Sequence, residues 1–112
     1  MSEMDGKIVW FEVAADDGAR ARSFYSSLFG WTFAPFEGGG DYQMTTEAGG
    51  AVYTNPEKGV TVYFGTSDID ASAAKVRELG GETDEPTEMP GIGRYTNCVD
   101  TEGNSFGLFQ AG

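Results

Sequence analysis

Residues 7–31, KIVWFEVAADDGARARSFYSSLFGW, change from one hydrophobic period to another within a single run. KIVWFEV (7–13) is β-branched and aromatic, the composition of a strand. Alternation sets Ile8, Trp10 and Glu12 on one face and Val9, Phe11 and Val13 on the other. Asp16 or Asp17 then offers an N-cap. Ala21, Phe24, Tyr25 and Leu28 recur at helical spacing as far as Phe29, and Gly30 stands where a C-cap glycine belongs. The run is a strand followed by a helix.

The remainder divides in the same way. WTFAPF (31–36) predicts a short strand interrupted by Pro35, DYQMTTEA (41–48) a third strand and AVYT (51–54) a fourth, with turns at Gly38–Gly40 and Gly49–Gly50. Beyond the polar loop 55–59, VTVYFGT (60–66) predicts a strand and Asp68–Leu79 a helix ended by Gly80–Gly81. ETDEPTEMPGIG (82–93) is mostly loop with some strand. RYTNCVD (94–100) and SFGLFQ (105–110) are the last strands. The order β-α-β-β-β therefore occurs twice. A shift of 53 pairs Val9 with Val62, Trp10 with Tyr63, Phe11 with Phe64, Asp17 with Asp70 and Arg22 with Lys75. A shift of 55 pairs Thr46 with Thr101, Glu47 with Glu102 and Tyr53 with Leu108. The chain is a duplicated module of about 50 residues, one unit spanning about 7–54 and the other about 60–110, in a single domain covering 1–112.

Charge and composition narrow the function. Among 112 residues, 18 are acidic and 7 basic, for a net charge of −11. A nucleic-acid partner would need a basic face, and an anionic membrane would repel this one. No apolar run reaches membrane-span length, and MSEMDG (1–6) lacks the features of a signal peptide. Cys98 is the only cysteine, so no intrachain disulfide forms, and a cytoplasmic location is expected. With no histidine, the commonest metal ligand and the usual general base are both missing, and neither Ser-His-Asp nor Cys-His catalysis is available.

Three sets of residues stand out. Glu12 lies in an otherwise apolar strand on the Trp10 face, where it would pair with a cationic ligand or with Arg94. Its other reading is a solvated residue at a strand end or one half of a structural pair. The aromatic set Trp10, Trp31, Phe33, Tyr42, Tyr63 and Phe109, with Met44, is large for this length. It would line a stacking pocket or fill a core and a subunit interface. Trp10, Tyr63 and Phe109 are the better candidates for such a pocket. Arg94 would clamp an anion or form a surface ion pair with the acids of 82–88. Cys98 reads as a buried small hydrophobe.

WFEVAADDGARARSFYSSLFGW, VYFGTSDIDASAAKVRELGG and PGIGRYTNCVDTEGNSFGLFQ, in this order and at these separations, resemble the vicinal oxygen chelate superfamily. That group includes glyoxalase I, bleomycin-resistance proteins and extradiol dioxygenases. The resemblance covers about 7–110 and implies an α+β fold, with two βαβββ modules forming a curled mixed sheet, or cup, and helices on its outer side. Metal-holding members use four His, Glu or Gln ligands. Carried over, those positions fall on Trp10, Thr61, near Val52 and on Gly107, and none of these is a good ligand. The resemblance also implies a homodimer. The expectation is a metal-free, cofactor-free protein that binds an aromatic or amphipathic small molecule through Trp10, Glu12, Tyr63, Arg94 and Phe109, with no catalytic residue assigned. Two alternatives stand beside it. One is a metal-dependent lyase or dioxygenase with unusual ligands, and the other is a degenerate module serving as a protein interaction domain.

Overall fold

A computed structural model describes residues 5–112. The elements run β1 (Ile8–Ala15), α1 (Gly18–Phe29), β2 (Ala34–Pro35), β3 (Gln43–Thr45), β4 (Gly50–Thr54), β5 (Gly59–Gly65), α2 (Ile69–Glu78), β6 (Glu82–Thr83), β7 (Thr87–Met89), β8 (Gly93–Val99) and β9 (Ser105–Ala111). This is the α+β class with strand–helix–strands read twice. Two compact units divide it, one of residues 10–61 and one of residues 5–9 with 62–112. Among the described residues no helix is long and apolar enough to cross a membrane.

In the first unit (10–61), β1 pairs in parallel with β4, placing Glu12 beside Ala51 and Val13 beside Val52. β4 pairs antiparallel with β3, and β3 with β2. Asp17 caps α1 by accepting from the Arg20 N–H at 3.0 Å. Gly30 ends the helix at φ 76°, and its N–H donates to the Ser26 carbonyl at 2.8 Å. A side chain at that φ would be strained, so the glycine is required. The expected strands 31–36 and 41–48 shrink to two and three residues. Pro35 has no N–H for a longer ladder. Beyond Thr45 the chain turns back, with the Gly49 N–H on the Thr45 carbonyl at 3.1 Å. The Glu47 carboxylate pins this turn by accepting from the Thr32 and Thr45 hydroxyls, which lower its pKa to about 2.

In the second unit (5–9 with 62–112), β9 lies between β5, parallel to it, and β8, antiparallel to it. β6 and β7 both pair with β8, one short strand more than the sequence predicts. The segment at Asp5 adds alongside β5 at Gly65. Asp68 caps α2 by accepting from the Ala71 N–H at 3.1 Å. The caps are thus Asp17 and Asp68, so the helix starts repeat at a spacing of 51. The sequence match of Asp17 with Asp70 at 53 does not mark equivalent caps. Under α2 the core is Ile69, Cys98 and Leu108, with Phe64, Val76 and Phe106 packed around it. Cys98 is the buried small hydrophobe expected, and burial pushes its thiol pKa up.

Ile69 has no exposed surface and is among the largest fully buried side chains. Ile69→Ala is expected to cost about 2–5 kcal/mol through lost burial and the cavity left behind. Urea denaturation followed by circular dichroism measures it.

Candidate functional site

Each unit has one sheet face that its helix covers and one that it does not. The candidate site residues sort by this parity. In the second unit, Arg94, Thr96 and Cys98 of β8 share the α2 side with Phe106, Leu108 and Gln110 of β9. Tyr95 and Asn97 share the other side with Gly107 and Phe109, and Tyr63 of β5 pairs with Gly107 there. The Tyr63 and Tyr95 rings meet edge to face at 6.4 Å, and the Tyr63 hydroxyl donates to Asn97 Oδ1 at 3.2 Å. A Cβ at Gly107 would run into the Tyr63 ring, so the bare glycine is what lets the ring lie across β9. Tyr63 and Phe109 are therefore brought to one face.

Arg94 is not on that face. Its guanidinium makes a two-pronged pair with Asp70 of α2, Nη1 to Oδ2 at 2.7 Å and Nη2 to Oδ1 at 3.0 Å. The Arg94 hydrogen bonds hold the Asp70 carboxyl below the usual range. Asp70 is the ion-pair partner, while Glu88, opposite Arg94 in the β7–β8 pairing, adds its charge. Glu12 accepts from Tyr42, and Glu85 of the 82–88 acids pairs with Arg77. The reason is alternation: Arg94 has the parity of Cys98, which points under the helix.

In the first unit the aromatic set divides. Phe11 packs on Trp31 at 5.9 Å, and Trp31 stacks with Tyr25 of α1 at 5.3 Å and meets Phe29 and Phe33. Trp31 and Phe33 thus belong to the helix-side packing. Trp10 and Glu12 have the opposite parity. The Trp10 indole N–H donates to the Tyr42 oxygen at 2.9 Å, and the Tyr42 hydroxyl donates to Glu12 Oε2 at 2.7 Å. Tyr42 also packs on Phe36 at 6.0 Å and on Tyr53 at 5.3 Å. Burial, and then the Glu12 charge, push the Tyr53 pKa up. The result is a half-buried aromatic patch of Trp10, Tyr42 and Tyr53 with a hydrogen-bonded carboxylate in it.

Behind this patch, Arg22 is buried to 8% exposure. Its Nη1 donates to the carbonyls of Asp41 and Val52, each at 3.0 Å, and Nη2 to Asp41 Oδ1 at 2.7 Å. The Thr54 hydroxyl donates to Asp41 Oδ2 and accepts from the Gly18 N–H at 2.9 Å. These bonds, Arg22 first and Thr54 next, hold the Asp41 carboxyl below its ordinary pKa.

The positions carried over as metal ligands do not fit a metal. Val52 is fully buried and pairs with Val13, the parity opposite to Trp10, so its register is off by one; the neighbours on the Trp10 side are Ala51 and Tyr53. Among the described residues no group of three or more cysteine, aspartate or glutamate side chains could hold an ion.

Residues 7–46 match the family described as bleomycin resistance protein-like N-terminal. CFP32, a candidate glyoxylase of Mycobacterium bovis, is 32% identical over 116 residues, covering 94% of this chain and 44% of its own. The methylmalonyl-CoA epimerase of Streptomyces coelicolor superposes with a TM-score of 0.63 at 23% identity, over 97% of this chain and 99% of its own. This chain belongs to the vicinal oxygen chelate superfamily. The anthracycline biosynthesis protein DnrV of Streptomyces peucetius is 30% identical over 131 residues, covering 96% of this chain and 48% of its own. The chain thus spans about half the length of these curated relatives.

Tyr95 and Asn97 were missed from the sequence, although the alternation of β8 against β9 places them with Phe109. Tyr42 stood in the aromatic set, but nothing local shows that its hydroxyl bridges Trp10 and Glu12, 32 and 30 positions away. Gly107→Ala is expected to displace the Tyr63 ring and cost about 1–3 kcal/mol. Methyl and aromatic NMR spectra check this: the Tyr63 and Tyr95 ring signals should move while the Ile69 methyl signals hold.

Proposed function

We propose that this chain binds a planar aromatic or amphipathic small molecule without a metal, using the faces that α1 and α2 leave uncovered. Trp10, Glu12, Tyr63 and Phe109 remain the binding residues, joined by Tyr42, Tyr95 and Asn97. Arg94 drops out because it is engaged with Asp70. The observation that carries this reading is the Trp10–Tyr42–Glu12 chain. It satisfies the polar atoms of two aromatic side chains while holding their rings in fixed orientations, which is what a stacking surface needs. The anthracycline connection of one relative supports a fused-ring ligand. The charge of −11 favours one carrying a cation. A cytoplasmic setting fits a single, buried thiol.

Trp10 and Trp31 are the only tryptophans, so Trp31→Phe leaves Trp10 as the sole reporter. Titration with a panel of fused-ring compounds, anthraquinones included, should quench its emission saturably. Trp10→Ala should weaken binding about tenfold or more, read by thermal shift, if one stacked ring contributes about 1.4 kcal/mol. Flat titrations across the panel would overturn the proposal. So would stoichiometric iron, manganese, nickel or zinc that survives dialysis, in favour of a metal-dependent lyase or dioxygenase.

The protein is also proposed to be a homodimer. Phe24 and Leu28, one turn apart on α1, are 60% and 57% exposed, and Phe29 is 58% exposed. Light scattering at micromolar concentration should give twice the chain mass. Phe24→Glu with Leu28→Glu should return the mass of one chain.

A further inference from the structure

The Arg22–Asp41 pair lies outside the aromatic patch, yet Asp41 immediately precedes Tyr42 in the chain. The connection between β2 and β3 is a tight turn, with the Tyr42 N–H on the Gly39 carbonyl at 3.0 Å and the Phe36 N–H on the Tyr42 carbonyl at 3.0 Å. Gly38 and Gly40, at φ 79° and 59°, give its tip a backbone that other residues adopt poorly. Within the turn the Phe36 ring packs on Tyr42 at 6.0 Å. Arg22 ties the turn to α1. Its planar fork engages the side chain and carbonyl of Asp41 on one side and the Val52 carbonyl of β4 on the other. Thr54 ties Asp41 to β4 and, through the Gly18 N–H, to the start of α1.

We propose that Arg22 and Asp41 are positioning residues for the ligand face: their ion pair seats Tyr42 between Trp10 and Glu12. This rests on reading the Trp10 face as the ligand face. Guanidinium stays charged at any accessible pH, so a buried Arg22 holds its carboxylate partner firmly, and separating the two is costly. With Tyr42 seated, its hydroxyl covers Glu12 Oε2 and its ring extends the Trp10 surface.

The test needs no ligand, so a failed ligand screen and a failed clamp are distinguishable. Acrylamide quenching is measured in two backgrounds, Trp31→Phe to report Trp10 and Trp10→Phe to report Trp31. Asp41→Ala should raise the Trp10 quenching constant to the level that Tyr42→Ala produces and leave Trp31 unchanged. The double variant, Asp41→Ala with Tyr42→Ala, should add nothing further, because both act through one side chain. If Asp41→Ala does not fold, as judged by circular dichroism, Asp41→Asn takes its place and should give an intermediate rise. Trp10 quenching that stays at its starting value in the folded variant would overturn the proposal. So would additive effects, or a parallel rise at Trp31, which would mark Asp41 as a general structural support.

Discussion

A single helix packed on a β-sheet covers one of its faces, and alternation then decides the fate of every residue on the strands. In the unit carrying α2, Cys98 and Leu108 go under the helix with Ile69, while Tyr63, Tyr95 and Phe109 stay on the other side. In the unit carrying α1, Phe11 joins Trp31 and Tyr25, while Trp10 and Glu12 are left opposite. Apolar groups alone on an uncovered face would be a liability. Here Trp10, Tyr42 and Tyr63 carry polar atoms, and those atoms are engaged by Tyr42, Glu12 and Asn97 respectively. The same parity that builds the two cores therefore produces the two candidate surfaces.

The fold was legible because it is written locally. Both helices carry an aspartate N-cap, and a glycine follows each, so composition and spacing alone place them. That Trp10, Tyr63 and Phe109 have the parity opposite to the helix side of their own units was legible as well, since it needs only a period of two. What depends on pairing between distant segments was not. Arg94 looked available among acids nearby in sequence, but its partner is Asp70, 24 positions earlier on a helix. A position carried over only as near Val52 cannot fix a face, because one residue reverses a strand, and Val52 itself pairs with Val13. The Arg22 anchor was invisible for a related reason. Its helical position reads as an exposed basic residue, and only the fold brings Asp41 and Val52 to it.

The two units are not equivalent in how they use their aromatic residues. In each, a glycine lies beneath an aromatic ring: Gly50 under Phe11 and Gly107 under Tyr63. Phe11 is on the helix side and Tyr63 is on the other, where it is itself buried at 7% exposure, so the duplicated pattern packs a ring on opposite faces of the two units. Charge has diverged similarly. Arg22 aligns with Lys75 in the sequence repeat, but Arg22 is buried and multiply bonded while Lys75 only meets Glu78 across one turn of α2. An exposed pair of that kind contributes little, whereas the buried guanidinium fixes the path of the β2–β3 turn.

The same packing bears on the positions that the resemblance assigns to metal ligands. A donor at position 107 would need a Cβ where the Tyr63 ring now lies, so an aromatic side chain and a ligand at 107 compete for the same space. A donor at 10 would have to replace the indole that donates to Tyr42. A histidine or glutamate at position 107 would require Tyr63 to move first. Three or four donors around an ion would need side chains that these positions do not offer, whereas the Trp10–Tyr42–Glu12 chain already orders rings by hydrogen bonding.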